Sequence, residues 1–251
     1  MKEIYFITDL DRTLIHAKNK GHKCVEYIEK SEITYMTQKS YDEFLELLKI
    51  KSFNFIPCTM RNINQTLRIN FIRDYRPKIM ICTNGAQIYI DGKLDDVWNI
   101  KMRSLIDEES IEANIRLIKG LNLDCQEIRN IEDFYITIKC ENQDIALEVF
   151  NALKDKFNSN IKVIHIAKKI FIIDERIDKI YAVDYIVDKY KIKDFITAGD
   201  SKVDENFTKR GRAIIPKHAS FVHNNAIITQ KEGIESTEDI IEYLQREFIG
   251  I

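Results

Sequence analysis

The sequence predicts an α/β fold in which a central parallel sheet with crossover helices is interrupted by an inserted α+β domain. Three observations carry this. Residues 4–14, Ile-Tyr-Phe-Ile-Thr-Asp-Leu-Asp-Arg-Thr-Leu, run from an apolar, partly β-branched stretch straight into two carboxylates. That is how a buried parallel strand ends in a polar loop. Strands and helices then alternate, as parallel sheets require. Between residues 86 and 174 the order turns hairpin-rich, which marks a separate domain, 86–174, set into a discontinuous one, 1–85 and 175–251.

Strand 4–8 comes first, and residues 22–36 suit a short hairpin or extended flap. Residues 38–50 place Tyr41, Phe44, Leu45 and Leu48 at helical spacing, with Ser40 as N-cap. A strand through 53–57 stops at Cys58-Thr59-Met60-Arg61, a helix covers 62–71, and strand 78–82 stops at Thr83-Asn84-Gly85-Ala86. In the insert, residues 87–98 form a hairpin turning at Asp91-Gly92. Helix 107–119, strands near 124–129 and 134–139, helix 143–157 and strands near 161–165 and 170–174 follow. Helix 178–191 then leads into strand 194–198, an apolar run closing on Gly199-Asp200, with Asp204 four residues on. A strand near 212–215 and a helix at 237–248 complete the reading.

Composition excludes several function classes. The 251 residues suffice for one large domain or two modest ones, and 38 Lys plus Arg balance 40 Asp plus Glu. No basic field points to nucleic acid. The five cysteines (24, 58, 82, 125 and 140) show no CxxC pair or zinc spacing and read as reduced, structural thiols. No stretch is long and apolar enough for an export signal or a membrane span. The expectation is a cytoplasmic protein without a membrane or nucleic-acid partner, as monomer or homodimer.

Asp9, Thr59 and Asp200 stand at equivalent strand ends, and an open α/β sheet binds its ligands outside the carboxyl ends of its strands. Anions ending a buried strand need compensation, which a magnesium ion and a phosphoryl group supply. A carboxylate can attack phosphorus and a second can move protons. A solvated Asp-rich turn is the bland alternative for the first segment taken by itself.

Asp9-Leu10-Asp11-Arg12-Thr13 resembles the DxDxT signature of the haloacid dehalogenase-like phosphatase superfamily, and Thr59 resembles its second motif. Lys179 fits the third motif and Gly199-Asp200 with Asp204 the fourth, so the four span nearly the whole chain in order. The place of the insert, and Thr83-Asn84-Gly85-Ala86 before it, are similar to the branch with a C2-type cap: sucrose-phosphate phosphatases, phosphomannomutases and Cof-like hydrolases. The resemblance implies a Rossmann-like core with a cap at 86–174, and a Mg²⁺-dependent phosphatase acting on a small phosphorylated substrate, sugar-like, through an aspartyl-phosphate.

By the same resemblance Asp9 is nucleophile and metal ligand, and Asp11 is acid and base and contributes a main-chain oxygen to the metal. Asp200 is a ligand and Asp204 an inner or outer one. Thr59, Asn84 and Lys179 face phosphate, with Lys168 and Lys169 as competitors for the lysine role. Arg61 either touches phosphate or pairs with a carboxylate. Arg103, Arg129, Lys139 and His165 are cap residues that contact the leaving group or simply face solvent. Two positions depart from the pattern: Arg12 stands where Cof-like members carry Gly, and Val203 where many relatives carry Asn. A phosphomutase, and a non-hydrolytic binding protein on the same fold, remain the alternatives.

Overall fold

A computed structural model of the chain describes residues 3–17 and 21–249. The first compact unit opens with β1 (Ile4–Thr8), β2 (His16–Ala17), β3 (Lys23–Ile28), β4 (Ser31–Met36), α1 (Gln38–Leu48) and β5 (Phe53–Pro57). It continues through α2 (Ile63–Thr66), α3 (Asn70–Tyr75), β6 (Ile79–Cys82), β7 (Gln87–Ile90) and β8 (Lys93–Leu94). The second unit, Asp96–Asp178, contains α4 (Asp96–Arg103), α5 (Glu108–Gly120), β9 (Glu127–Ile131), β10 (Tyr135–Lys139), α6 (Gln143–Leu153), β11 (Ile161–Ile166) and β12 (Lys169–Asp174). The first unit resumes with α7 (Lys179–Tyr190), β13 (Phe195–Ala198), α8 (Glu205–Thr208), β14 (Arg212–Ile215), β15 (Ile227–Ile228) and α9 (Ser236–Ile249).

The core sheet runs β15-β14-β13-β1-β5, parallel throughout, with Phe6 opposite both Ile196 and Phe55. Beyond β5 the Thr59 amide donates to the Ile81 carbonyl at 2.9 Å, which brings the end of β6 alongside. The chain order reverses at β1, so the carboxyl ends of β1, β5 and β13 open on one crevice, where such sheets seat ligands. Phe6, Phe44, Phe53, Phe55 and Phe71 fill the space beneath α1, with the Phe44 ring edge-on to Phe55 at 5.1 Å and to Phe71 at 5.4 Å. The second unit is a four-stranded antiparallel sheet, β11-β12-β10-β9, whose apolar face packs with α5 and α6.

Several local expectations shift. The 87–94 hairpin pairs with β6, so it stays with the first unit, which runs to Asp95. Residues 96–103 are helical rather than a second hairpin arm; Trp98 and Met102, four apart, are the buried pair. The N-cap of α1 is Thr37, whose hydroxyl accepts from the Ser40 amide at 3.1 Å, and Ser40 is buried in the first turn. The expected helix 62–71 is two short helices, because Ile69 adopts an extended conformation and bridges to Glu26. Among the described residues, no helix is long and apolar enough to cross a membrane.

His16 gives the first unit an acid-sensitive point. It is buried, and its Nε2–H donates to the Thr237 hydroxyl oxygen at 3.0 Å, since that hydroxyl's proton goes to the Thr13 carbonyl at 2.9 Å. Burial, with His218 and Arg12 nearby, pulls its pKa down to about 3. The unfolded imidazole takes a proton below its ordinary 6.5, whereas the folded one does so only near 3. Stability should therefore fall as pH drops through that window, by about 1.4 kcal/mol per pH unit from this residue. Urea titrations between pH 6.5 and 4 should show a shallower slope for His16→Gln; an unchanged slope contradicts this.

Candidate active site

Asp9 follows β1 directly, its amide donating to the Ala198 carbonyl at 2.9 Å, so the first acidic strand end is stitched to β13. Asp200 follows β13, and Asp204 ends the short turn after it. Gly199 makes that turn possible by close approach: a Cβ there would lie 2.4 Å from the Cβ of Asp204. All three carboxylates are buried, with one oxygen of each within 4.8 Å of the others.

Lys179 opens α7 and is fully buried. Its Nζ donates to Asp9 Oδ1 and to Asp204 Oδ1, both at 2.7 Å. The other oxygen of Asp204 accepts the amides of Asp200 at 3.2 Å and Ser201 at 2.9 Å. Asp204 therefore accepts three hydrogen bonds from the protein and braces Lys179 and the 199–201 turn. Asp200 takes the Ser201 hydroxyl on Oδ1 at 3.1 Å and Arg12 Nε on Oδ2 at 3.0 Å.

The electrostatics are those of a site with too much negative charge. Burial raises the pKa of Asp9 well above the carboxylate range; Lys179 opposes this, while Asp204 and Asp200 add to it. Burial and then Asp204 push Asp200 up to about 7 against the pull of Arg12. Burial would lower the pKa of Lys179, but Asp204 and Asp9 outweigh it and drive the ammonium further up. A hard divalent cation suits this set: all donors are oxygens, and a second positive charge relieves the strain that one lysine leaves.

Arg12 has φ +63°, a left-handed conformation that glycine adopts without cost. The Arg12 amide donates to the Ile15 carbonyl at 2.7 Å, and its carbonyl accepts from His218 Nε2 at 2.8 Å, which holds it there. The side chain supplies Asp200 with a counter-ion that a glycine would not.

On the other side, Thr59 is buried and its hydroxyl accepts the Arg61 amide at 3.2 Å. The loop after β6 is stapled to it: the Asn84 amide donates to the Thr59 carbonyl at 3.0 Å and the Thr83 amide to the Arg61 carbonyl at 2.8 Å. Thr83, Asn84 and Gly85 all have positive φ, +54°, +56° and +89°. Such strain in a β-branched residue persists only where surroundings over-determine it.

Arg61 meets carboxylates. It pairs bidentately with Asp11, whose side chain is half exposed, with both contacts at 2.7 Å. Its Nη1 also reaches Glu26 at 2.9 Å. Glu26, fully buried on β3, was not legible as a site residue; its single hint is an acid between Val25 and Tyr27 in a strand. Lys168 is engaged with the Glu141 carbonyl inside the second unit, with Lys169 beside it opening β12. Also within that unit, Arg103 lies 4.1 Å over the Phe134 ring, Arg129 pairs with Glu127, Lys139 stands opposite Glu127 and His165 bonds the Ala167 carbonyl. Cys58 and Cys82 are buried, and burial pushes the Cys82 thiol up to about 12, so it is an inert core group.

Comparison with known proteins adds the following. Residues 2–222 match the family model described as sucrose-6F-phosphate phosphohydrolase. The sucrose-phosphatase of Synechocystis sp. PCC6803, solved with sucrose and phosphate, shares 14% identity over 98% of this chain and 99% of its own, with a TM-score of 0.66. A haloacid dehalogenase-like hydrolase from Bacteroides thetaiotaomicron shares 14% over 98% and 100%, at 0.65. The trehalose-6-phosphate phosphatase of Aspergillus fumigatus shares 11% over 98% and 93%, at 0.53. At these identities the structural likeness is one of fold. No curated protein matches.

Proposed function

The chain belongs to the sucrose-6F-phosphate phosphohydrolase family, phosphoric monoester hydrolases of the haloacid dehalogenase-like fold, and on that premise we propose that it is a Mg²⁺-dependent phosphatase of a small sugar phosphate working through an aspartyl-phosphate. One observation carries the reading: a buried carboxylate at the end of β1, Asp9, is held by a buried lysine and set beside two more carboxylates. The family match, and the sucrose and phosphate bound to the Synechocystis protein, support a sugar phosphate as substrate.

In this mechanism an Asp9 carboxylate oxygen attacks phosphorus in line, and the bond from phosphorus to the sugar oxygen breaks. That oxygen takes a proton from Asp11. Water then attacks the aspartyl-phosphate, Asp11 recovers a proton from it, and the bond to Asp9 breaks, giving inorganic phosphate and the free carboxylate. Lys179 neutralises charge on Asp9 and the phosphoryl oxygens, while the Thr59 hydroxyl and the Asn84 side-chain amide donate to those oxygens. Asp9 and Asp200 would hold the magnesium ion, which when bound screens the phosphoryl charge.

A panel of phosphorylated sugars including sucrose and trehalose phosphates, assayed for phosphate release, tests this. Release should require Mg²⁺, stop with EDTA and return with added Mg²⁺ more fully than with Ca²⁺, whose looser coordination disturbs in-line geometry. EDTA-resistant release, or no turnover of any sugar phosphate, would count against it.

A further inference from the structure

Glu26 is a buried anion with no place in the mechanism above. A buried carboxylate is costly unless it is paired and hydrogen-bonded. Here Oε1 takes Arg61 and Arg68, each at 2.9 Å, and Oε2 takes the Thr34 hydroxyl at 3.1 Å. The pairing of β3 with β4 is irregular on both sides of this residue, at Cys24/Glu26 and Glu26/Tyr27. Such bulges re-aim a side chain. Arg61 is the shared element: 12% exposed, it presents one edge to Glu26 and its planar fork to Asp11, which is 50% exposed. Burial would depress the guanidinium, but Asp11 and then Glu26 outweigh it and keep Arg61 charged. A bidentate fork fixes the plane of the carboxylate it holds. The chain of contacts is thus anchored in the interior at Glu26 and ends at the half-exposed Asp11.

We propose that Glu26, acting through Arg61, is a positioning residue that holds the Asp11 carboxyl in the orientation needed for proton exchange with the leaving oxygen and the attacking water. This rests on the phosphatase reading and on Asp11 as its acid and base. A plain staple between the 23–36 hairpin and the 61–69 segment would instead lower stability, or slow all substrates alike.

The discriminating readout is leaving-group dependence. A sugar alkoxide needs a proton to depart; p-nitrophenolate does not, so kcat/KM on p-nitrophenyl phosphate reports attack by Asp9 alone. Glu26→Gln should lower kcat/KM tenfold or more on the sugar phosphate turned over fastest in the panel. On p-nitrophenyl phosphate kcat/KM should change less than about threefold, while kcat falls because water activation is impaired. Glu26→Gln leaves Arg68 without its charge partner, so Glu26→Gln/Arg68→Gln, which restores the balance, should show the same split in a stably folded protein. Equal losses on both substrates, or none, in the double variant overturn the proposal. Asp11→Asn, run in parallel, should show a larger split. If Asp11→Asn splits the substrates and the Glu26 variants do not, the positioning role fails alone. If Asp11→Asn shows no split, the acid assignment itself fails.

Discussion

Asp9→Asn should abolish phosphate release, by about 10⁴-fold or more, on sugar and aryl phosphates alike. An amide of the same shape cannot form the acyl-phosphate, and no neighbouring carboxylate is free to replace it: Asp200 is paired with Arg12, and Asp204 is held on both oxygens. The fold should not suffer. The folded-state pKa of Asp9 lies above its ordinary value because burial and like charges disfavour the anion. An anion at this position therefore works against folding at neutral pH, and removing it is neutral or stabilising. Thermal melts should place the variant at or above the parent, and a sharp fall in melting temperature would contradict the electrostatics described.

Lys179→Met should have the opposite balance, with both stability and activity lost. Lys179 is fully buried and touches Asp9 and Asp204 at 2.7 Å each. Removing it strands two carboxylates in the interior, and breaking a buried pair in this way costs about 3–5 kcal/mol. Urea unfolding at neutral pH measures the loss. Mg²⁺ should recover part of it, since a cation beside Asp9 and Asp200 relieves the same repulsion. A variant as stable as the parent in the absence of Mg²⁺ would show that Lys179 is not the counter-charge of this site.

The parts of the fold legible in the sequence are those set by local pattern. An apolar run broken by Asp9, and another broken by Gly199-Asp200, mark adjacent strands of one sheet because burial on both faces leaves no room for charge until the strand ends. Position 179 is marked out by its place at the start of a helix together with the resemblance to the third motif. Features fixed by long-range partners were not legible. Residues 62–71 have helical composition, yet Ile69 leaves the helix where Glu26 pairs across to it and Arg68 turns to the same carboxylate. Arg61 could be placed on phosphate or on a carboxylate from its neighbours in sequence; the choice of Asp11 and Glu26 depends on groups 50 and 35 residues upstream. Likewise Arg12 reads as an odd charge until the left-handed backbone and Asp200 are seen together.

The central claim is that the Asp9 carboxylate takes the phosphoryl group, and rapid acid quench of the Asp11→Asn protein mixed with ³²P-labelled p-nitrophenyl phosphate and Mg²⁺ tests it most directly. The aryl leaving group departs without an acid, while the missing base delays hydrolysis of the intermediate. The prediction is a burst of about one equivalent of p-nitrophenolate with matching ³²P on protein, mapped to the peptide containing Asp9. Release of p-nitrophenolate with no label on the protein, or label on any other residue, would contradict it.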